Sequence, residues 1–83
     1  MPFLGLVEHV IWGRAIVRVD NPLEIPQLRS RVYDEKRSFV GVVVDVIGSV
    51  SKPYAVVSLR DKSITLSKGS RLFYEKTVKR RRR

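Results

Sequence analysis

Residues Val40 to Tyr54 read V-G-V-V-V-D-V-I-G-S-V-S-K-P-Y, and this stretch decides the fold. Val and Ile are β-branched and pack well on a pleated surface, and Gly41 and Gly48 interrupt the run. A half-buried strand alternates apolar with polar residues. Here strict alternation sends Val42, Val44 and Val46 one way and Val43 and Ile47 the other, with only Asp45 as polar relief. In so short a chain, a strand apolar on both sides has one side left over once a core is filled. That surplus predicts a protein partner.

Working outward, Phe3 to Ile11 and Arg14 to Asp20 read as two strands joined tightly at Trp12-Gly13. Ala15, Val17 and Val19 point inward and Arg14, Arg18 and Asp20 outward, with Ile16 as the exception. Asn21-Pro22 ends that strand. Leu23 to Ser30, which contains Pro26, has no clean period and reads as a loop with room for one helical turn at most. Arg31 to Asp34 is a short strand, Glu35 to Ser38 a polar turn, and Phe39 to Ile47 the long strand. Gly48 to Lys52 loops to Pro53, then Tyr54 to Leu59 returns with Ala55, Val57 and Leu59 on one side and Tyr54, Val56 and Ser58 on the other. Ile64 to Leu66 reads as a short extension and Arg71 to Tyr74 as the last strand. No apolar recurrence at helical spacing is sustained. Many short strands separated by turns predict an all-β fold, and at this size a small closed barrel, because closure removes exposed edges.

The chain has 83 residues, enough for one domain. It has no cysteine, so disulfides and thiolate metal sites are excluded; this fits a reducing compartment. The single His9 cannot build a histidine metal site. The opening M-P-F-L-G-L-V reaches charge at Glu8 and predicts neither a signal peptide nor a membrane span, which points to an intracellular soluble protein. Five of the seventeen Lys and Arg residues are the last five, Lys79, Arg80, Arg81, Arg82 and Arg83. Without them twelve positive charges stand against eight negative ones. We therefore expect a barrel over residues 1–76 and a basic, disordered tail over 77–83. Such a run attracts polyanions through counterion release, with plain solubilisation as its bland alternative.

The central segment resembles the core domain of the glycine-arginine-rich proteins of H/ACA ribonucleoproteins. That family shows G-x-V-x-D, two hydrophobic residues, then G-P-V-x-x-P-Y. Gly41, Val43, Asp45, Gly48, Val50, Pro53 and Tyr54 fit its spacing. Arg31-Val32-Tyr33-Asp34 resembles the family's V-Y-D element, and Leu4-Gly5, Ile16-Val17-Arg18 and the basic C-terminus also fit. Ser49 stands where the family usually has proline, which loosens the turn. The Arg-Gly repeats of eukaryotic members are absent, so the resemblance is to the short archaeal, cytoplasmic form.

The resemblance implies a six-stranded barrel of the translation-factor/reductase type that is not an enzyme and takes no cofactor or small-molecule ligand. It implies an accessory subunit of the box H/ACA guide-RNA particle, which converts uridine to pseudouridine in ribosomal RNA. The subunit would dock on the catalytic domain of a dyskerin-type pseudouridine synthase and assist substrate loading and product turnover. It would meet the guide RNA and the other particle proteins only indirectly. The residues expected at the synthase are Val43, Ile47, Gly48, Ser49, Val50, Pro53, Tyr54 and Val56; the tail, Lys79 to Arg83, is a weak nucleic-acid contact.

Several features also have plainer readings. Gly48 serves a loop that needs positive φ, Pro53 stiffens the chain, Asp45 pairs outward with a cation, and His9 and Trp12 are structural, with Trp12 a second contact candidate. The competing function is a free-standing RNA- or DNA-binding barrel that stacks bases on aromatics. Phe3, Trp12, Tyr33, Phe39, Tyr54, Phe73 and Tyr74 are available for that role, yet along the chain they concentrate on no single alternating strand face. A small enzyme is disfavoured, because no second acid, histidine or nucleophile accompanies Asp45 at a matching position.

Overall fold

A computed structural model describes residues 1–76; the expectations for the tail, 77–83, including the nucleic-acid contact at Lys79 to Arg83, lie outside the described residues. Six strands form: β1 (Phe3–Ile11), β2 (Arg14–Val19), β3 (Arg31–Tyr33), β4 (Phe39–Gly48), β5 (Pro53–Leu59) and β6 (Arg71–Tyr74). They close into a barrel in the order β1-β2-β5-β4-β3-β6, every neighbouring pair antiparallel. Closure leaves no free edge, as the strand-rich sequence predicts. There is no helix among the described residues: Leu23 to Ser30 is a chain of turns, and Ile64 to Leu66 is not a strand. Ile64 and Leu66 pack instead against the core.

The interior is small and so are the side chains that fill it. Val7, Ala15, Val17, Val32, Val43, Ala55, Val57, Leu4 and Leu72 are almost completely buried, with Val19, Val40 and Tyr74 close behind. Ala and Val dominate because a six-stranded barrel is too narrow for many long side chains. The buried Ser30 hydroxyl donates to the Gln27 carbonyl at 2.6 Å. Its own carbonyl accepts the Val43 amide at 2.9 Å, and the Arg29 amide donates to the Val43 carbonyl at 2.6 Å. These bonds tie the β2–β3 loop to the long strand.

Strict alternation fails in β4, and the reason is a bulge. Val43 pairs with Val57, but the next pair is Asp45 with Val56, which leaves Val44 unmatched. One extra residue reverses the in-out parity of everything beyond it. Val43 therefore faces in, and so does Val46, which lies opposite Ala55 and packs against the core. The expectation that Val46 shares a side with Val42 and Val44 is corrected by this shift. So is the placing of Val43 on a partner surface: it is 0% exposed and belongs to the core. The Asp45 carboxylate does face out, but it forms no ion pair with a described residue. It accepts the Val46 amide at 2.8 Å, serving the backbone of the bulge itself.

Because Val43 is interior, Val43→Ala should lower unfolding free energy by about 2 kcal/mol through lost burial and a residual cavity. Urea denaturation measures this, and a loss below about 0.5 kcal/mol would show that the position is not tightly packed.

Candidate functional site

The β4–β5 hairpin is built by two glycines with different tasks. Gly41 lies where the β5 backbone crowds β4: a side chain there would collide with the Ser58 carbonyl. Gly48 has φ of 93°, a conformation that L side chains rarely adopt. An added Cβ would lie 2.7 Å from the Lys52 carbonyl oxygen and 3.2 Å from Cδ1 of Tyr54. Gly48 thus turns the chain and gives the Tyr54 ring a place to lie. Ser49 does not leave the turn loose, since its hydroxyl oxygen accepts the Lys52 amide at 3.1 Å. Pro53 pairs with Gly48 and is buried, so it sets the turn rather than presenting a surface.

Strand register shows what this hairpin exposes. Across β4, β5, β2 and β1 one outward row runs Ile47, Tyr54, Arg18, Leu6, and the next runs Asp45, Val56, Ile16, His9. Ile47 is 44% exposed, and Tyr54, Val56 and Ile16 are each half-buried. Val50, at the tip of the β4–β5 loop, is 93% exposed. Residues opposite one another on antiparallel strands have Cβ atoms about 5 Å apart, so Ile47 with Tyr54 and Val56 with Ile16 form a continuous apolar patch. Arg18, Lys52 and Asp45 lie around it, all exposed. Of the eight residues expected at a partner surface, the fold gathers Ile47, Gly48, Ser49, Val50, Tyr54 and Val56 into one region and withdraws Val43 and Pro53. Ile16 and Leu6 join it without having been named. The signal for Ile16 was present as the one apolar outward residue in an otherwise regular alternation.

Trp12 occupies the other end of β5 from this loop, where the Leu59 amide donates to the Gly13 carbonyl. With φ of 48° at Trp12 and 78° at Gly13, the β1–β2 turn has both central residues left-handed. Trp12 lies in the expected turn and is 95% exposed, so its side chain adds nothing to the core. Asp61, whose pKa is lowered chiefly by the Ser63 hydroxyl, and Tyr74, whose pKa is raised by burial and by Glu24, lie away from the patch.

A second outward row occupies the other flank. Phe3 pairs with Phe73, Phe73 with Tyr33, and Tyr33 with Phe39, so four aromatics stand abreast on β1, β6, β3 and β4. No single strand face gathers the aromatics, as expected, yet four of them line up across strands. Each strand supplies one, and only the strand order brings them together. Among the described residues no group of His, Asp and Glu could hold a metal ion, and no helix is long and apolar enough to cross a membrane.

The family model described as Gar1/Naf1 RNA binding region matches residues 1–83, the whole sequence. No curated protein matches the chain.

Gly48→Ala should cost about 1–3 kcal/mol of stability, because it forces a left-handed side chain against the Lys52 carbonyl. Thermal or urea unfolding checks it, and an unchanged midpoint would mean that the turn readily takes another shape.

Proposed function

The chain belongs to the Gar1/Naf1 RNA-binding family of H/ACA ribonucleoproteins, and from that membership we propose that it is the non-catalytic subunit of a guide-RNA pseudouridylation particle. In this reading it docks on the catalytic domain of a dyskerin-type pseudouridine synthase and assists substrate loading and product turnover. The observation that supports this reading is the outward apolar patch of Ile47, Val50, Tyr54, Val56 and Ile16 beside the rigid Gly48 turn.

The physical case begins from closure. A closed barrel cannot accept a partner strand at an edge, so docking must use side chains on its outer face. An aromatic ring held at the centre of an apolar patch loses little conformational freedom on binding, and such residues dominate interface energetics. Tyr54 meets those conditions, since Gly48 lies against its ring. Arg18 and Lys52 supply a polar rim. Because the centre is apolar, salt should weaken the complex only modestly. The chemical groups of the reaction belong to the synthase in this scheme. The subunit acts on what precedes and follows chemistry by bearing on the synthase's mobile substrate loop.

Mixing the chain with the synthase should give a complex of about 1:1 by gel filtration at low and high salt; separate elution at both would refute docking. Tyr54→Ala should weaken the complex by about 2 kcal/mol, roughly thirty-fold, while the barrel stays folded. Ile47→Asp should be worse, because it presses an unpaired carboxylate against an apolar partner. In guide-directed assays both variants should slow multiple turnover more than single-turnover chemistry. A folded variant that keeps full affinity would show that the patch is not the docking centre.

A further inference from the structure

The aromatic row on the far flank plays no part in the docking just described. Phe3 and Phe73 have ring centroids 5.5 Å apart and Tyr33 and Phe39 5.8 Å apart, in tilted pairs. All four rings are half-buried, so each leans on its neighbours and keeps part of its surface open. Cations border the row on both sides. The Arg31 guanidinium lies 5.9 Å from the centre of the Phe39 ring. Arg71 stands opposite Leu6 on the other side, its Nε 3.8 Å from Glu35.

Of the nearby carboxylates, Asp20 lines a groove with Phe3, Arg71 and Phe73, and three others are engaged. Asp34 accepts the Lys36 and Ser38 amides, Glu35 faces Arg71, and Glu75 accepts the Tyr33 hydroxyl at 3.3 Å. Arg31 has no ion-pair partner among the described residues.

We propose that this row is a stacking platform for single-stranded RNA, with bases laid on Phe3, Phe73, Tyr33 and Phe39 and phosphates drawn to Arg31 and Arg71. The inference does not depend on synthase docking, whose centre at Ile47 and Tyr54 lies on β4 and β5, although the two surfaces adjoin at Leu6 and Arg71. Cross-strand aromatic pairs can serve sheet stability alone, but stability does not require arginines on both borders. Each base offers a π-face, so rings bind single strands with little sequence preference, and arginine planes add to the stack. Four strands span about 14 Å at the usual inter-strand spacing, a width suited to the two or three bases that sheet-borne aromatics commonly take. Duplex RNA hides its base faces and is not a ligand for such a row.

The test uses the full chain and a fluorescein-labelled 12-mer of uridine, with an RNA duplex of equal length as comparison. Phe73→Leu and Tyr33→Leu keep apolar bulk but remove the π-face, and each should weaken single-strand binding by about ten-fold. Phe73→Tyr should restore it, and the salt dependence should keep its slope because no phosphate contact is lost. A leucine variant that stays folded by circular dichroism and keeps full affinity overturns the proposal, as does equal affinity for duplex and single strand. A second measurement avoids variants altogether: photo-crosslinking of the unaltered chain to a 4-thiouridine oligonucleotide. Crosslinks at Phe73, Tyr33 or Phe39 support the platform, whereas crosslinks confined to Lys79–Arg83 contradict it.

Discussion

The unmatched Val44 in β4 governs how this small barrel divides its side chains between interior and surface. Were Val44 paired in a regular ladder, Val43 and Val46 would face opposite ways and the strand would waste core-sized side chains on solvent. With the bulge, both fill the interior, and the outward positions pass to Val42, Val44, Asp45 and Ile47. The Asp45 carboxylate supports the bulge by accepting the Val46 amide. The spacing from Gly41 to Tyr54 then has a physical reading at most of its positions. Gly41 lets two strands approach, Val43 fills the core, Asp45 pins the bulge, Gly48 and Pro53 set the turn, and Tyr54 lies on the glycine that made room for it.

Much of the fold was legible because its signals are local. Strand and turn residues alternate clearly enough to place all six strands within a residue or so, and Trp12-Gly13 and Gly48 announce their turns. What was not legible is non-local. A bulge is a mismatch between two strands, so nothing in β4 alone shows that Val44 is the extra residue. For that reason the sequence alone sends Val43 outward with Ile47, although it lies inside. The aromatic row was hidden for the same cause: Phe3, Tyr33, Phe39 and Phe73 belong to four strands whose order around the barrel the sequence does not spell out. The outward patch was more accessible to sequence reasoning because Ile47, Tyr54 and Val56 lie on one hairpin.

Closure gives the molecule two usable flanks and no edge. The flank of β2, β5 and the end of β4 is aliphatic with one tyrosine, and the flank of β6, β3 and the start of β4 is aromatic and bordered by arginine. Aliphatic patches suit a dry protein contact, whereas open rings with cations suit bases and phosphates. A subunit organised this way could hold a protein on one side and a single strand on the other without either displacing its partner. Its membership of an RNA-binding family gives the aromatic flank a natural ligand class.

Two-dimensional NMR of the 15N-labelled chain, titrated separately with the synthase catalytic domain and with single-stranded oligouridylate, tests this division most directly. The synthase should perturb amides at 16, 47–50 and 54–56, and the RNA those around Phe3, Tyr33, Phe39 and Phe73. Addition of the second ligand should leave the first set of shifts in place. Perturbation of the same residues by both ligands, or displacement of one by the other, would contradict that division.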